Sequence, residues 1–272
     1  MTIFADLHTH STASDGQYTP TEVVQKAKDI GIEVLALTDH DTLDGLPEAC
    51  NAGKDHGITI LRGVELGAAE YKQLHLLGYG FSDPAPHLSA LCEAMRKSRD
   101  ERKYRIIDFL KSYGVDIPLS EVEELAGGKI VARPHFAQVM VKHGYVATTR
   151  EAFDRYLDTD AFQRIERLKA PAKDCIAAVR ADGGHVSLAH PYQVGLQDEQ
   201  LEMLVKQLTE YGLEAIECFY SRHTPEQTAF YLQLAKRYNL HITGGSDFHG
   251  ERVKPDISLK RWELTLDWLL KS

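Results

Sequence analysis

The residues of this chain that can do chemistry are histidines and carboxylates, gathered in a few short motifs. His8 and His10 flank Thr9 in Leu7-His8-Thr9-His10. Two apart on an extended chain, they project from one face, as two ligands of one ion do. Thr38-Asp39-His40-Asp41, Arg62-Gly63-Val64-Glu65, Leu188-Ala189-His190-Pro191 and Ser246-Asp247-Phe248-His249 carry the same donor types, and Asp15 follows soon after the first pair. His75 sits inside the apolar run Leu74-His75-Leu76-Leu77, on the face opposite Leu74 and Leu76. Mixed imidazole and carboxylate donors suit Mn²⁺, Fe²⁺ or Zn²⁺. Each motif also has an ordinary explanation: a turn for Asp15, Asp39 and Asp41, a surface carboxylate for Glu65, a core histidine for His75, a helix cap for Asp247. Those explanations leave their common position unexplained.

That position is the end of a strand. Residues 3–7, 34–37, 58–61, 185–189 and 240–243 are short apolar runs, and each leads into one of the motifs. Residues 74–77 and 213–219 read as two further strands. Helical stretches alternate with them: Thr19-Pro20-Thr21-Glu22 opens one with a capping box and a proline, and others cover about 47–55, 198–211 and 224–238. Such alternation predicts a mostly parallel sheet with helices outside. In a parallel barrel the C-terminal strand ends share one rim, so ligands spread over some 240 residues converge in space. From near Pro86 to about Leu168 only helix signals occur, among them capping boxes at Ser120-x-x-Glu123 and Thr148-x-x-Glu151.

The remaining histidines divide. His56, His87, His143, His185 and His241 occupy helix ends or the opposite strand ends and read as structural. Arg133-Pro134-His135 opens a helix with a phosphate-shaped guanidinium fork, which fits either a surface helix start or an anion site. Ser221-Arg222-His223 follows the 213–219 strand and so reaches the active rim, where the His223 imidazole is placed to bind a ligand or donate a proton. Glu217, within that strand, reads as structural. Asp39 and Asp41 are expected to orient His40.

Composition narrows the function classes. A net charge of −9 argues against a basic face for long duplex nucleic acid or anionic membrane. No apolar run approaches the about 20 residues of a membrane span, and Met1–His10 has no export signal. The four cysteines, at 50, 92, 175 and 218, form no close pair and read as reduced thiols of a cytoplasmic protein. The oligomeric state is not legible.

In this order, the motifs HTH, TDHD, the Glu after the third strand, LHLLGY, LAHP and GSDFH resemble those of the PHP (polymerase and histidinol phosphatase) metallophosphoesterases, from about Ile3 to His249. Within the family the chain is most similar to stand-alone bacterial proteins that cleave nucleoside 3′,5′-bisphosphates. The resemblance implies an α/β fold: a distorted seven-stranded (β/α) TIM-like barrel from 1–85 and 171–272, with a helical insertion, 86–170, contributing to the substrate site. It implies two or three divalent ions, Mn²⁺ foremost. His8, His10, Glu65 and Asp247 would hold one, Glu65 with His75 and His190 a second, and Asp15, His40 and His249 a third. Asp15, His40 and His223 would act in catalysis, and Arg133, His135, Ser221 and His223 would bind substrate. The expected substrate is the 3′-phosphate of a small nucleotide, attacked by a water that the ions acidify. Histidinol phosphate, a cyclic phosphate or an RNA 5′ end are the alternatives. Residues 158–171 depart from the subgroup's pattern where relatives approach substrate. A C–N hydrolase also begins with HxH, but Lys72 and Lys169 are poorly placed for the carbamylated lysine it needs. A non-catalytic scaffold, like the PHP modules of DNA polymerases, would not require the full ligand set.

Overall fold

A computed structural model describes residues 2–126, 131–163, 165 and 169–270. Strands β1 (Thr2–Thr9), β2 (Val34–Leu37) and β3 (Thr59–Gly67) alternate with helices α1 (Pro20–Asp29) and α2 (Leu46–His56), and the strands pair in parallel. β4 (His75–Tyr79) follows β3 with no intervening helix, so it returns antiparallel. Helices α3 (Pro86–Ser112), α4 (Leu119–Ala126), α5 (Arg133–Lys142), α6 (Thr149–Ala152) and α7 (Asp160–Gln163) come next, with a π-helical turn at Phe153–Leu157. Alternation resumes with α8 (Ala172–Ala181), β5 (His185–Leu188), α9 (Asp198–Tyr211), β6 (Ala215–Tyr220), α10 (Pro225–Arg237) and β7 (His241–Gly245). The chain closes with β8 (Trp262–Thr265) and α11 (Asp267–Leu270).

The sheet has eight strands in the order β7-β6-β5-β4-β3-β2-β1-β8, one more than the sequence suggests. The extra strand is β8, whose four residues are too few to show a period. It lies antiparallel to the first half of β1, from Thr2 opposite Thr265 to Ala5 opposite Trp262. The far end of β1 meets the chain beyond β7: Asp247 N donates to His8 O at 2.8 Å, and His10 N to Phe248 O at 2.9 Å. This nearly closes the barrel and draws the first and last motifs together. β3 also runs past Leu61 to Gly67, because β4 pairs along it from Gly63 to Gly67. Glu65 therefore lies inside a strand rather than beyond one.

Capping follows the sequence in part. Thr19 and Thr224 form complete boxes with Glu22 and Gln227. Thr148 caps the amide of Glu151, whose own carboxylate takes the amide of Ala147 instead of that of Thr148. Ser120 caps nothing, since α4 already starts at Leu119.

Two compact units emerge, residues 1–93 with 169–272, and residues 94–168. The divisions fall inside α3 and at 168/169. The first unit packs Leu7, Ala36, Leu77, Tyr79, Ala189 and Leu266 into its core, and the Tyr79 hydroxyl reaches Leu7 O at 2.8 Å. The second has a core of its own, built on Leu110, Val122, Phe136, Met140, Leu157 and Phe162. Of the divergent segment 158–171, residues 164 and 166–168 lie outside the described residues. Among the described residues, no helix is long and apolar enough to cross a membrane.

Candidate metal centre

The strand ends deliver their motifs to one point, the Glu65 carboxylate. Its Oε2 lies 3.2 Å from His8 Nε2, 3.1 Å from His10 Nε2 and 3.1 Å from His40 Nδ1. Its Oε1 lies 2.7 Å from His75 Nδ1 and 2.9 Å from His190 Nε2. Five imidazoles from four strands and their loops thus share one carboxylate. Asp247 Oδ1 stands 3.6, 3.4 and 3.3 Å from His8 Nε2, His10 Nε2 and His249 Nδ1. Asp15 Oδ1 reaches His249 Nε2 at 3.2 Å, and its Oδ2 stands 3.9 Å from His40 Nε2. Three groups have the compactness an ion needs: His8, His10, Glu65 and Asp247; His10, Asp15, His40 and His249; and His40, Glu65 and His75. His190 joins through Glu65 alone. The grouping differs from the expected sets in giving His10 to two groups and in placing His40 beside Glu65 and His75.

This donor set fits divalent ions. His8, His10 and Glu65 are wholly buried, yet His8 Nε2, both His10 nitrogens, Glu65 Oε2 and His190 Nδ1 lack hydrogen-bond partners among the described residues. Buried polar atoms are rarely left so, and here His8 Nε2, His10 Nε2 and Glu65 Oε2 are turned toward one another at the centre of the cluster. The rings of His10 and His249 stack at 3.9 Å. Charge is divided accordingly. Burial opposes the charged form of every group, but around His8 the carboxylates of Glu217, Glu65 and Asp247 outweigh it and raise the imidazole well above its ordinary range. Asp247 and Glu65 do the same for His10, lifting it to about 9. His40, where burial wins, falls to about 3. His75 and His249 are likewise lowered by burial. The histidines in turn hold Glu65 and Asp247 far below the usual carboxylate range, against their burial. A cationic inner pair within an anionic cage is what a bound ion would replace.

The supporting residues are only partly those expected. Glu217, read from sequence as structural, is fully buried; its Oε1 accepts from His8 Nδ1 at 3.0 Å and its Oε2 from the His190 amide at 2.6 Å. It thereby fixes the His8 tautomer that turns Nε2 inward, and it pins His190 in an unfavourable left-handed backbone (φ 24°). An acidic residue inside the apolar strand Ala-Ile-Glu-Cys-Phe-Tyr was the available signal. Gly245 must be glycine here, because a Cβ would lie 2.2 Å from His8 Cβ and 2.8 Å from Glu217 Oε1. A Glu217→Gln variant keeps the shape but can accept only one of the two bonds. Its Mn²⁺ affinity is expected to fall about 10–100-fold, measured by titration calorimetry; an unchanged affinity would remove this role.

Asp39 does not orient His40. It binds the Ser11 amide (2.8 Å), the Ser11 hydroxyl (2.7 Å) and the Ser14 hydroxyl (2.6 Å), clamping the loop that carries Asp15. Asp41 accepts from the Gly67 amide at 3.2 Å and acts on the β3 end instead.

The substrate candidates belong to both units. His223 Nδ1 faces Cys218 O at 3.0 Å, and since a carbonyl only accepts, Nδ1 carries the proton. Burial lowers this imidazole, so near neutral pH its Nε2 is a lone-pair acceptor. That Nε2 and Ser221 Oγ are buried without a partner among the described residues. In the second unit, the Arg133 guanidinium pairs with Asp158 and Leu157 O, while His135 Nδ1 accepts from the Ala132 amide at 3.0 Å. The structural histidines lie elsewhere: His87 with Asp182, His143 with Glu121, His185 with Glu214, and His241 stacked on Trp268 at 4.2 Å. Of the two lysines weighed for carbamylation, Lys169 donates to Lys72 O at 2.8 Å.

Comparison with known proteins agrees with the geometry. A family model described as the PHP domain matches residues 6–214. The chain is 35% identical, over 92% of its length and 91% of the relative's, to a 5′-3′ exoribonuclease of Haemophilus influenzae. It is 31% identical, over 90% and 86%, to a 3′,5′-nucleoside bisphosphate phosphatase of Chromobacterium violaceum. A solved structure from Chromobacterium violaceum, described as an amidohydrolase with bound sulfate, superposes with a TM-score of 0.77 at 30% identity, covering 96% of this chain and 92% of that one.

Proposed function

The chain belongs to the PHP family and is a metal-dependent phosphoesterase; on that premise, we propose that it removes the 3′-phosphate of a nucleoside 3′,5′-bisphosphate, working with Mn²⁺ in the cytoplasm. The observation that carries this reading is the convergence of nine candidate ligand residues, Glu65 and Asp247 among them, at one rim. His8, His10, Glu65 and Asp247 would hold one ion, Asp15, His40 and His249 with His10 another, and His75 and His190 with Glu65 a third. Bound there, such ions supply Lewis acidity, making a water acidic near neutral pH and offsetting phosphate charge. Around them, Glu217 keeps the His8 lone pair aimed inward and holds the His190 backbone, and Asp39 holds the Asp15 loop in place. His223 Nε2 serves as an acceptor for a ribose hydroxyl beside the scissile phosphate, and only its protonated form returns a proton to the leaving oxygen. The four thiols, none bonded to another, suit a reducing compartment. Burial pushes Cys175 and Cys218 up to about 12 and leaves them unreactive.

A second reading, removal of nucleotides from RNA 5′ ends, is favoured by the 35% identity to the Haemophilus influenzae exoribonuclease. Phosphate and nucleotide release with Mn²⁺ from adenosine 3′,5′-bisphosphate, AMP, histidinol phosphate and a 5′-phosphorylated oligoribonucleotide separates the two. Preference for the bisphosphate supports the first reading, and stepwise shortening of the RNA with the bisphosphate ignored replaces it. The assignment of the second phosphate to Arg133 and His135 has its own test. Arg133→Ala is expected to raise KM for the bisphosphate by about tenfold, the worth of one charge-assisted contact, while sparing p-nitrophenyl phosphate. Equal effects on both would dismiss that role.

A further inference from the structure

Asp247 faces two ways. The residue sits just beyond β7 in a left-handed backbone (φ 60°) that separates the surroundings of its two oxygens. Oδ1 looks into the cluster toward His8, His10 and His249. Oδ2 looks outward and accepts two donors, the Tyr220 hydroxyl at 2.8 Å and the Lys254 ammonium at 2.6 Å. Both donors are themselves placed. Tyr220, at the end of β6, is buried, accepts from Gln193 Nε2 at 2.9 Å and sets its ring against His190 at 5.7 Å. Lys254 belongs to the connection between β7 and β8. Its amide donates to Gly250 O at 2.9 Å, its carbonyl accepts from Ile257 N at 3.1 Å, and the nearby Arg252 amide donates to Gln17 Oε1 at 2.8 Å. This fixed turn brings an ammonium against a carboxylate that also faces the proposed ion.

We propose that Lys254, with Tyr220, is a positioning residue that holds the outer oxygen of Asp247 and limits how tightly this carboxylate binds its ion. The inference rests on the metal-centre reading above. With Oδ2 occupied, Asp247 offers one oxygen rather than two. The adjacent ammonium both draws charge from that carboxylate and repels a cation on its far side. A weaker donor leaves the ion more electrophilic toward phosphate and water. Lys254 therefore trades affinity for turnover.

The sign of the effect sets this role apart from a structural one, because losing a mere packing contact loosens a site. Lys254→Met is expected to bind Mn²⁺ roughly tenfold more tightly than the wild type, and to turn over roughly tenfold more slowly. Lys254→Gln, a second neutral side chain, is expected to behave alike, and Lys254→Arg to stay within about twofold of wild-type affinity because the charge remains. The measurement is Mn²⁺ titration of the ion-free proteins by calorimetry, with circular dichroism to establish that each is folded. Neutral variants that are folded and bind Mn²⁺ equally or more weakly would overturn the proposal. So would a Lys254→Arg variant that tightens binding as much as Lys254→Met. A wild type that binds no Mn²⁺ would overturn the metal centre itself, and this inference with it.

Discussion

Replacing Glu65 by glutamine is expected to lower phosphate release by about 10³–10⁴-fold, the equivalent of losing several kcal/mol of charge stabilisation at phosphorus. Among the described residues no other side chain touches so many of the candidate ligands: five imidazole nitrogens lie between 2.7 and 3.2 Å from its two oxygens. Glutamine fills the same space but has no charge and only one acceptor oxygen. Its amide would turn a donor toward nitrogens that must keep their lone pairs free. Two of the three compact groups use Glu65, so metal content should fall as well. The paired measurement is turnover together with bound metal by plasma emission spectroscopy, on protein whose circular dichroism matches the wild type. Turnover within tenfold of the wild type would sink the assignment of Glu65 as the shared ligand.

The second large effect is a pH-dependent exchange of protons for metal. In the ion-free protein His10 is raised from 6.5 to about 9, and His8 is raised as well. A histidine with a raised folded value stabilises the fold fully below its unfolded value, and that stabilisation disappears as pH climbs through the folded one. For His10 the displacement is worth on the order of 3 kcal/mol, present below about pH 6.5 and gone above about 9. The ion-free protein should therefore melt at progressively lower temperature across that window, as the Glu65 and Asp247 charges lose their counterparts. Metal reverses the trend. An ion can bind only after expelling these protons, so its affinity rises through the same window. At 100 times its Kd it adds about 2.7 kcal/mol. Calorimetric melting with EDTA or with Mn²⁺, from pH 6 to 8.5, should show two curves that diverge as pH rises. Parallel curves would mean that His8 and His10 are not the groups the ion displaces.

The candidate site was legible because strand ends and chemistry coincide along the chain. His8, His10, His190, Asp247 and His249 each sit at or directly after the end of an apolar run, and parallel alternation sends such ends to one rim; Glu65 and His75 lie in apolar runs too, but reach that rim from inside β3 and from the start of the antiparallel β4. Asp15 was legible by its nearness to the first motif. The supporting residues were less so. Asp39 and Asp41 stood beside His40 in sequence and were read as its partners. Their carboxylates instead hold the Ser11–Ser14 turn and the Gly67 amide, because a turn directs neighbouring side chains apart. Glu217 passed for a structural residue although its strand is otherwise apolar. Lys254 carried no signal at all, since a lysine in an irregular connection shows neither period nor motif.

By itself, the sequence determined the donor types, the alternating elements that bear them and hence the class of chemistry, because these depend on local period and residue identity. Tertiary structure alone decided which donors come close enough together to hold an ion. His10 serves two groups, and His40 stands beside Glu65, only because β1 meets the chain beyond β7 and β3 extends to pair with β4. It likewise decided that Asp247 turns one oxygen to the cluster and the other to Tyr220 and Lys254. Such choices turn on ångström distances between residues up to 240 positions apart. Chain closure fixes those distances, and no local pattern encodes them.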